Sequence, residues 1–358
     1  SINKRIKLIM AYTTINKSSD HFSSNLYTGT GSALTVTTGH QSDFIWIKQR
    51  TTVRPHCLFD SVNSNNFAGG NSKYLVSNTN SALTSNNATQ ITANSSTGFS
   101  IGTDNSDQIN NNGDTAVAWS WKANGAGSSN TDGSITSTVS VDATGGCSIV
   151  KYTGAGSVAT IGHGLGVTPK MIIFKRTDVA SDWIVYHEGT GNNSFCYLNT
   201  TTSQSADSNI LNNTSPTSSV FTIGTTNGLN QGPAIAYCFA EKQGFSKIST
   251  YVGNGQGNAN GTFVYTGFKP SFVFIRNVDF ASNWNNFTGK IPGYNQINDI
   301  LQPNRAAAEN GVFAFDMLSN GFKHRSGDVM DRNGDTHIYM AIAEAPLVGT
   351  NNVPANAR

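Results

Sequence analysis

The hydrophobic positions of this chain fall in runs of four to seven residues, separated by Gly, Asn, Asp and Ser. Short runs rich in Val, Ile, Phe, Trp and Tyr and bounded by turn formers predict β-strands. Phe44-Ile-Trp-Ile47 is apolar throughout, the pattern of a strand buried on both faces. Thr115–Trp121 alternates in part, and Ser134-Ile-Thr-Ser-Thr-Val-Ser-Val141 alternates cleanly, which predicts a half-exposed strand. Asn112-Gly113 and Asn333-Gly334 each precede a strand. Both residue types tolerate positive φ, so each pair predicts a two-residue hairpin turn. The single helical candidate is Arg305-Ala-Ala-Ala-Glu309, one turn that Asn304 is placed to cap.

The strands recur in a fixed order. Tyr27-Thr-Gly-Thr-Gly31, Tyr152-Thr-Gly-Ala-Gly156 and Tyr251-Val-Gly-Asn-Gly255 open three segments at spacings of 125 and 99 residues. Each is followed by an apolar strand ending in a basic residue: Phe44–Lys48, Met171–Arg176 and Phe272–Arg276. A second strand follows at Cys57–Asp60, Asp182–Tyr186 and Asn283–Phe287, and a third landmark at Gly98–Gly102, Val220–Gly224 and Gly321–His324. Asn112–Trp119, Asn230–Tyr237 and Asn333–Tyr339 close the unit. A period near 100 residues is too long for a propeller blade and suits a β-sandwich.

The expected fold is therefore all-β: three tandem, imperfect repeats, each a jelly-roll or lectin-like β-sandwich with almost no helix. Residues 1–26 form an N-terminal arm, 27–123 the first repeat, and 124–148 a connector with one strand. Residues 149–242 form the second repeat, 243–346 the third, and 347–358 a tail. The junctions fall in Asn124–Asn130 and near Gln243–Ser246. Met10-Ala11-Tyr12-Thr13 reads as a natural start, which makes residues 1–9 a translated leader or an artificial remnant. Asp20–Leu26 is expected to be a short docking arm.

Composition narrows the classes. Charged residues are only 12% of the chain and the net charge is +2, so no basic face suggests a nucleic-acid partner. No apolar stretch approaches the ~18 residues of a membrane span. The 19 Phe, 11 Tyr and 5 Trp supply several small cores rather than a disordered tail. Cys57, Cys147, Cys196 and Cys238 make no CxxC pair or ligand cluster, and Cys238 reads as a small buried hydrophobe.

Several stretches, among them Asp132-Gly-Ser-Ile-Thr-Ser-Thr-Val139, Ile161-Gly-His-Gly-Leu-Gly-Val-Thr-Pro-Lys170 and Ile235-Ala-Tyr-Cys-Phe-Ala-Glu241, carry a resemblance. Over most of residues 10–346 the chain resembles a repeated domain of unassigned function in virion structural, tail-fibre or lectin-like appendage proteins of tailed phages, mostly marine. The resemblance implies a virion component, assembled in the host cytoplasm and exposed on the extracellular particle. The first repeat departs most, with His40-Gln41-Ser42 where the family has a Pro-containing lead-in.

No catalytic residue is expected. The four Glu, at 188, 241, 309 and 344, and the scattered Asp show no pair placed for glycoside hydrolysis. Gly154-Ala-Gly156 and Gly253-Asn-Gly255 precede no helix, so they are turns rather than phosphate loops. His163 lacks a second His at metal spacing. Asp104-Asn-Ser-Asp107 and Asp328, Asp331 and Asp335 offer clustered oxygens, but without EF-hand spacing. No metal, cofactor or named ligand-binding residue is assigned. The reading is a non-enzymatic appendage, homo-oligomeric and in contact with other virion proteins, that binds host-surface glycans. The alternative is a decoration protein that reinforces capsid or tail without a ligand.

Overall fold

Strand alternation decides the architecture. In Phe44–Gln49, Phe44 and Trp46 enter one hydrophobic core while Ile45 and Ile47 enter another. Met171–Arg176 repeats this with Met171 and Ile173 against Ile172 and Phe174. Pro270–Asn277 does so with Phe272 and Phe274 against Val273 and Ile275. The first-named residues of all three strands meet in one shared core, and the others face three separate cores.

The computed structural model describes residues 13–70, 72–85, 89–225, 227–346 and 348. It is an all-β, sandwich-type fold of antiparallel sheets. Each repeat has an inner and an outer sheet. The first repeat's inner sheet runs Phe22–Thr28, Thr115–Trp121, Phe44–Gln49, Cys57–Asp60, Lys73–Val76, Thr84–Ser85, and its outer sheet runs Leu34–Thr37, Gly98–Ile101, Ile91–Ser95. The second repeat builds its inner sheet around Cys147–Thr153, Pro233–Phe239, Met171–Arg176 and Ile184–His187, with Ala159–Gly162 and Val220–Ile223 outside. The third uses Ser246–Val252, Thr336–Ala343, Pro270–Asn277 and Asn285–Thr288 inside. Its outer sheet is Phe263–Tyr265, Gly321–His324, Asn310–Leu318 and Ile297–Ile300.

The inner sheets close into a ring through equivalent bonds. Leu83 N donates to Thr177 O at 2.9 Å, Gln204 N to Val278 O at 2.9 Å and Glu309 N to Arg50 O at 2.8 Å. These link the first repeat to the second, the second to the third and the third back to the first. A second set runs alongside: Trp183 Nε1 donates to Val76 O at 3.0 Å and Trp284 Nε1 to Tyr197 O at 2.8 Å. The first repeat has His56 in that place; it accepts from Trp46 Nε1 at 2.9 Å, and burial holds its pKa well below the usual imidazole range. Rings interleave across the junctions, with Phe44 stacked on Tyr237 at 4.3 Å and Trp119 edge-on to Phe272 at 5.8 Å. Such contacts add about 0.5–1.5 kcal/mol each beyond the area they bury.

The matching basic residues Lys48, Lys175 and Arg276, near the ends of the apolar strands, are wholly buried and make no ion pair among the described residues. Lys48 reaches Gln49 O at 2.5 Å, Lys175 reaches Arg176 O at 2.8 Å, and Arg276 reaches the carbonyls of Tyr197, Thr200 and Thr202. Carbonyl oxygens stand in for water around these cations. Burial still lowers both lysines to a pKa of about 8.

The opening and closing landmarks of each repeat meet. The amide oxygens of buried Asn110 and Asn230 accept from Thr30 N at 2.9 Å and Ala155 N at 3.0 Å, and Asp331 Oδ1 accepts from Asn254 N at 3.1 Å. A Cβ on Gly29, Gly154 or Gly253 would collide with the backbone beside these residues, so the Tyr-x-Gly signature records a close chain crossing. The equivalent of Asn230 in the first repeat is Asn110 rather than Asn112.

Four expectations are corrected. Asp20–Leu26 is not a docking arm, because Phe22–Thr28 pairs with Thr115–Trp121 and Phe22 is buried in the shared core. Neither Asn112-Gly113 nor Asn333-Gly334 turns a hairpin: the strands that follow pair with Phe22–Thr28 and Phe44–Gln49 and with Ser246–Val252 and Pro270–Asn277, and Gly113 N and Gly334 N instead donate to Gly29 O and Gly253 O, each at 2.9 Å. Arg305–Glu309 is not helical; Asn304 Oδ1 accepts from Trp284 N, and the Glu309 amide is committed to Arg50. The connector holds two strands, Ser128–Asn130 and Ser137–Asp142, which extend the second repeat's inner sheet. Residues 1–9 and Met10 lie outside the described residues.

Candidate functional site

The third repeat differs from the others in the segment Gly289–Gln296, which joins Asn285–Thr288 to Ile297–Ile300. Two glycines and a proline within eight residues interrupt any regular element. Ile291 and Ile297 anchor the segment in the interior. Asn295 pins it to the neighbouring strand, donating from Nδ2 to Met317 O at 2.9 Å and accepting at Oδ1 from Met317 N at 3.0 Å. Held at these points, the loop projects Tyr294 into solvent, 72% exposed.

Tyr294 lines a cleft of about 510 Å³ whose walls include the polar groups of Lys269, Lys290, Asn295, Ser319 and Glu344 and the apolar Met317 and Leu318. Lys269 Nζ is paired with Glu344 Oε2 at 2.8 Å. Lys290 is exposed, with no ion-pair partner among the described residues. A shallower depression of about 340 Å³ continues past Asn295 to Gln296, Asp316, Arg325 and Asn258. There Arg325 Nε donates to Asp316 Oδ2 at 2.6 Å and NH1 to Asn258 O at 3.2 Å. The two lobes present an exposed ring, amides, a hydroxyl and charged groups in one open trough. Its first lobe lies within the ~300–1,000 Å³ usual for small-molecule sites.

The other repeats fill this position differently. In the second, Lys170 bridges Glu188 at 3.1 Å and Glu241 at 3.5 Å. Burial works against its charge, but the two carboxylates prevail and raise its pKa. In the first repeat Asp43 replaces the lysine and is buried, accepting from Ala123 N at 2.7 Å and Gly125 N at 3.1 Å.

The residues singled out by sequence serve the scaffold. Glu309 binds Arg50 at 2.6 Å, so each of the four glutamates holds a cation. His163 is buried; its Nδ1 accepts from Leu165 N at 3.2 Å, and Nε2 faces Thr217 O. Asp104 Oδ2 accepts from the amides of Ile109 and Asn110, and Asp328 Oδ1 from Met330 N, so these carboxylates close their own turns. Gly154 and Gly156 hydrogen-bond to Gly232 and Asn230 in a chain crossing. All four cysteines are free and buried. Sequence reasoning missed Tyr294, Lys290 and Asn295; the only trace was an isolated tyrosine in a breaker-rich loop.

Residues 17–346 match a family described as a domain of unknown function, DUF7483. The chain belongs to this family. The matched span takes in all three repeats and every residue of the cleft. No curated protein matches the chain.

Proposed function

We propose that the chain is a non-enzymatic component of a tailed-phage virion, an appendage that adheres to host-surface glycans through the cleft of the third repeat. The observation that carries this reading is Tyr294, held out over a trough of amide, hydroxyl and charged groups. The face of an aromatic ring is electron-rich and suits the C–H bonds of a pyranose ring, while the surrounding groups suit its hydroxyls. Open, shallow sites bind weakly one at a time, and repetition on a particle converts weak contacts into attachment. The resemblance to phage virion proteins supports the particle context. Locating the protein on intact virions by cryo-electron microscopy, followed by glycan-array binding of the purified chain, tests the proposal. Density at tail or fibre with Tyr294-dependent glycan binding is the expected result, and a silent array overturns adhesion.

The closed ring of three repeats favours a second reading, a decoration protein. One chain with its inner sheets wrapped around a common core presents three related faces, as a threefold cluster would. Density spread over the capsid shell would establish that reading in place of the first.

A further inference from the structure

We infer that the third-repeat cleft selects anionic sugars, those bearing a carboxylate or a sulfate, over neutral ones; the inference rests on the adhesion reading above. The cleft carries two ammonium groups and one carboxylate, and the carboxylate is already spent on Lys269. Lys290 lines the same cleft as Tyr294 and has no ion-pair partner among the described residues. In the adjoining lobe the Arg325 charge is neutralised by Asp316, so that lobe offers hydrogen bonds rather than net attraction. Among the described residues, the unbalanced charge facing the trough is therefore positive.

The rest of the molecule does not repeat this arrangement. In the second repeat Lys170, which stands at the register of Ser271, is shared by Glu188 and Glu241, and Glu241 also binds Lys247 at 3.0 Å, so the charges there balance. In the first, the equivalent position is the carboxylate of Asp43, turned inward onto backbone amides. Of three related sites, one has gained an exposed ring together with a free cation. A pyranose lying on Tyr294 with its acidic substituent toward Lys290 uses both at once. The attraction is between exposed charges, so it is modest, screened by salt and decisive for selectivity rather than for tight binding.

The test is a glycan array carrying uronic, sialic and sulfated sugars beside their neutral counterparts, probed with the full chain. It is followed by titration of an oligogalacturonate and its neutral methyl ester at low and high salt. The expected outcome is binding to acidic glycans, with the methyl ester and high salt each weakening it several-fold. Lys290→Gln should weaken the acid on the order of fivefold and leave the ester unchanged. Tyr294→Ala should abolish both, with unchanged melting temperature because both side chains are exposed. Carboxylate-only or sulfate-only binding identifies the source of the anion. Equal, Tyr294-dependent binding of acid and ester overturns the selectivity while leaving adhesion intact. Binding to nothing on the array overturns both.

Discussion

The phenol of Tyr237, in the second repeat, donates a 2.9 Å hydrogen bond to Asp60 Oδ2 of the first, and both side chains are buried. Burial raises the pKa of Asp60, opposed by Asn63, whose backbone N and Nδ2 also donate to it, and by the tyrosine. Tyr237→Phe removes one donor from a carboxylate that water cannot reach. It should cost about 1–3 kcal/mol in chemical denaturation, and Asp60→Asn in the same background should recover part of that loss.

The ring-closing indoles give a graded series. Trp284 stacks on Phe274 at 4.4 Å and donates to Tyr197 O. Trp284→Phe keeps most of the packing and removes one of two donors to the Tyr197 carbonyl, which Arg276 still reaches, for a cost of about 0.5–1.5 kcal/mol. Trp284→Ala leaves a cavity at the junction of two repeats and should cost about 3–5 kcal/mol. Equal losses for the two variants would show that the indole N–H, not the ring volume, holds that junction.

Acid should destabilise the chain as pH falls through the range in which a free imidazole takes up a proton. Burial lowers the pKa of His40 and His187 from 6.5 to about 4 and of His324 to about 3, and it also depresses His56, His163 and His337. An imidazole with a depressed folded pKa binds fewer protons in the fold than in the unfolded chain. Its full contribution is present above about pH 6.5 and is lost as pH falls toward 4. His187 alone should withdraw about 2 kcal/mol at pH 5. Asp43, Asp60 and Asp328 have raised pKa values and act in the opposite sense above 3.8, partly offsetting the fall. Melting temperature should drop between pH 7 and pH 5, and His187→Gln should flatten that slope.

The third repeat excised as residues 243–346 should not behave as a free domain. Its inner sheet would expose Phe272, Phe274, Trp284, Met340 and Ile342, all buried in the shared core of the full chain. Size-exclusion chromatography should show aggregation, and hydrophobic-dye binding should rise above that of the intact protein. A monomeric fragment with a cooperative melt would contradict the shared core as the main source of stability.

Much of this fold was legible in the sequence. Short apolar runs with turn punctuation located the strands, and Phe44–Ile47 announced burial on both faces. What covers the second face was not legible, because alternation tells a residue that it is buried and not by whom. Phe22-Ser-Ser-Asn-Leu-Tyr-Thr28 is too polar to read as a strand, yet pairing with Thr115–Trp121 makes it one. Asn112-Gly113 carried a hairpin signal that the crossing at Gly29 put to another use. The cleft was invisible for a related reason: a lone tyrosine in a loop has no periodicity, and its partners Lys269 and Glu344 come from opposite ends of the repeat.

Joining three repeats in one polypeptide lets them cease to be identical. A ring of three separate subunits encoded by one gene must carry any new loop three times, wherever it helps and wherever it interferes. Here Gly289–Gln296 exists once, while Asp43 and Lys170 keep their structural duties at the related positions. The interior constrains all three copies together, and the periphery leaves each free to specialise.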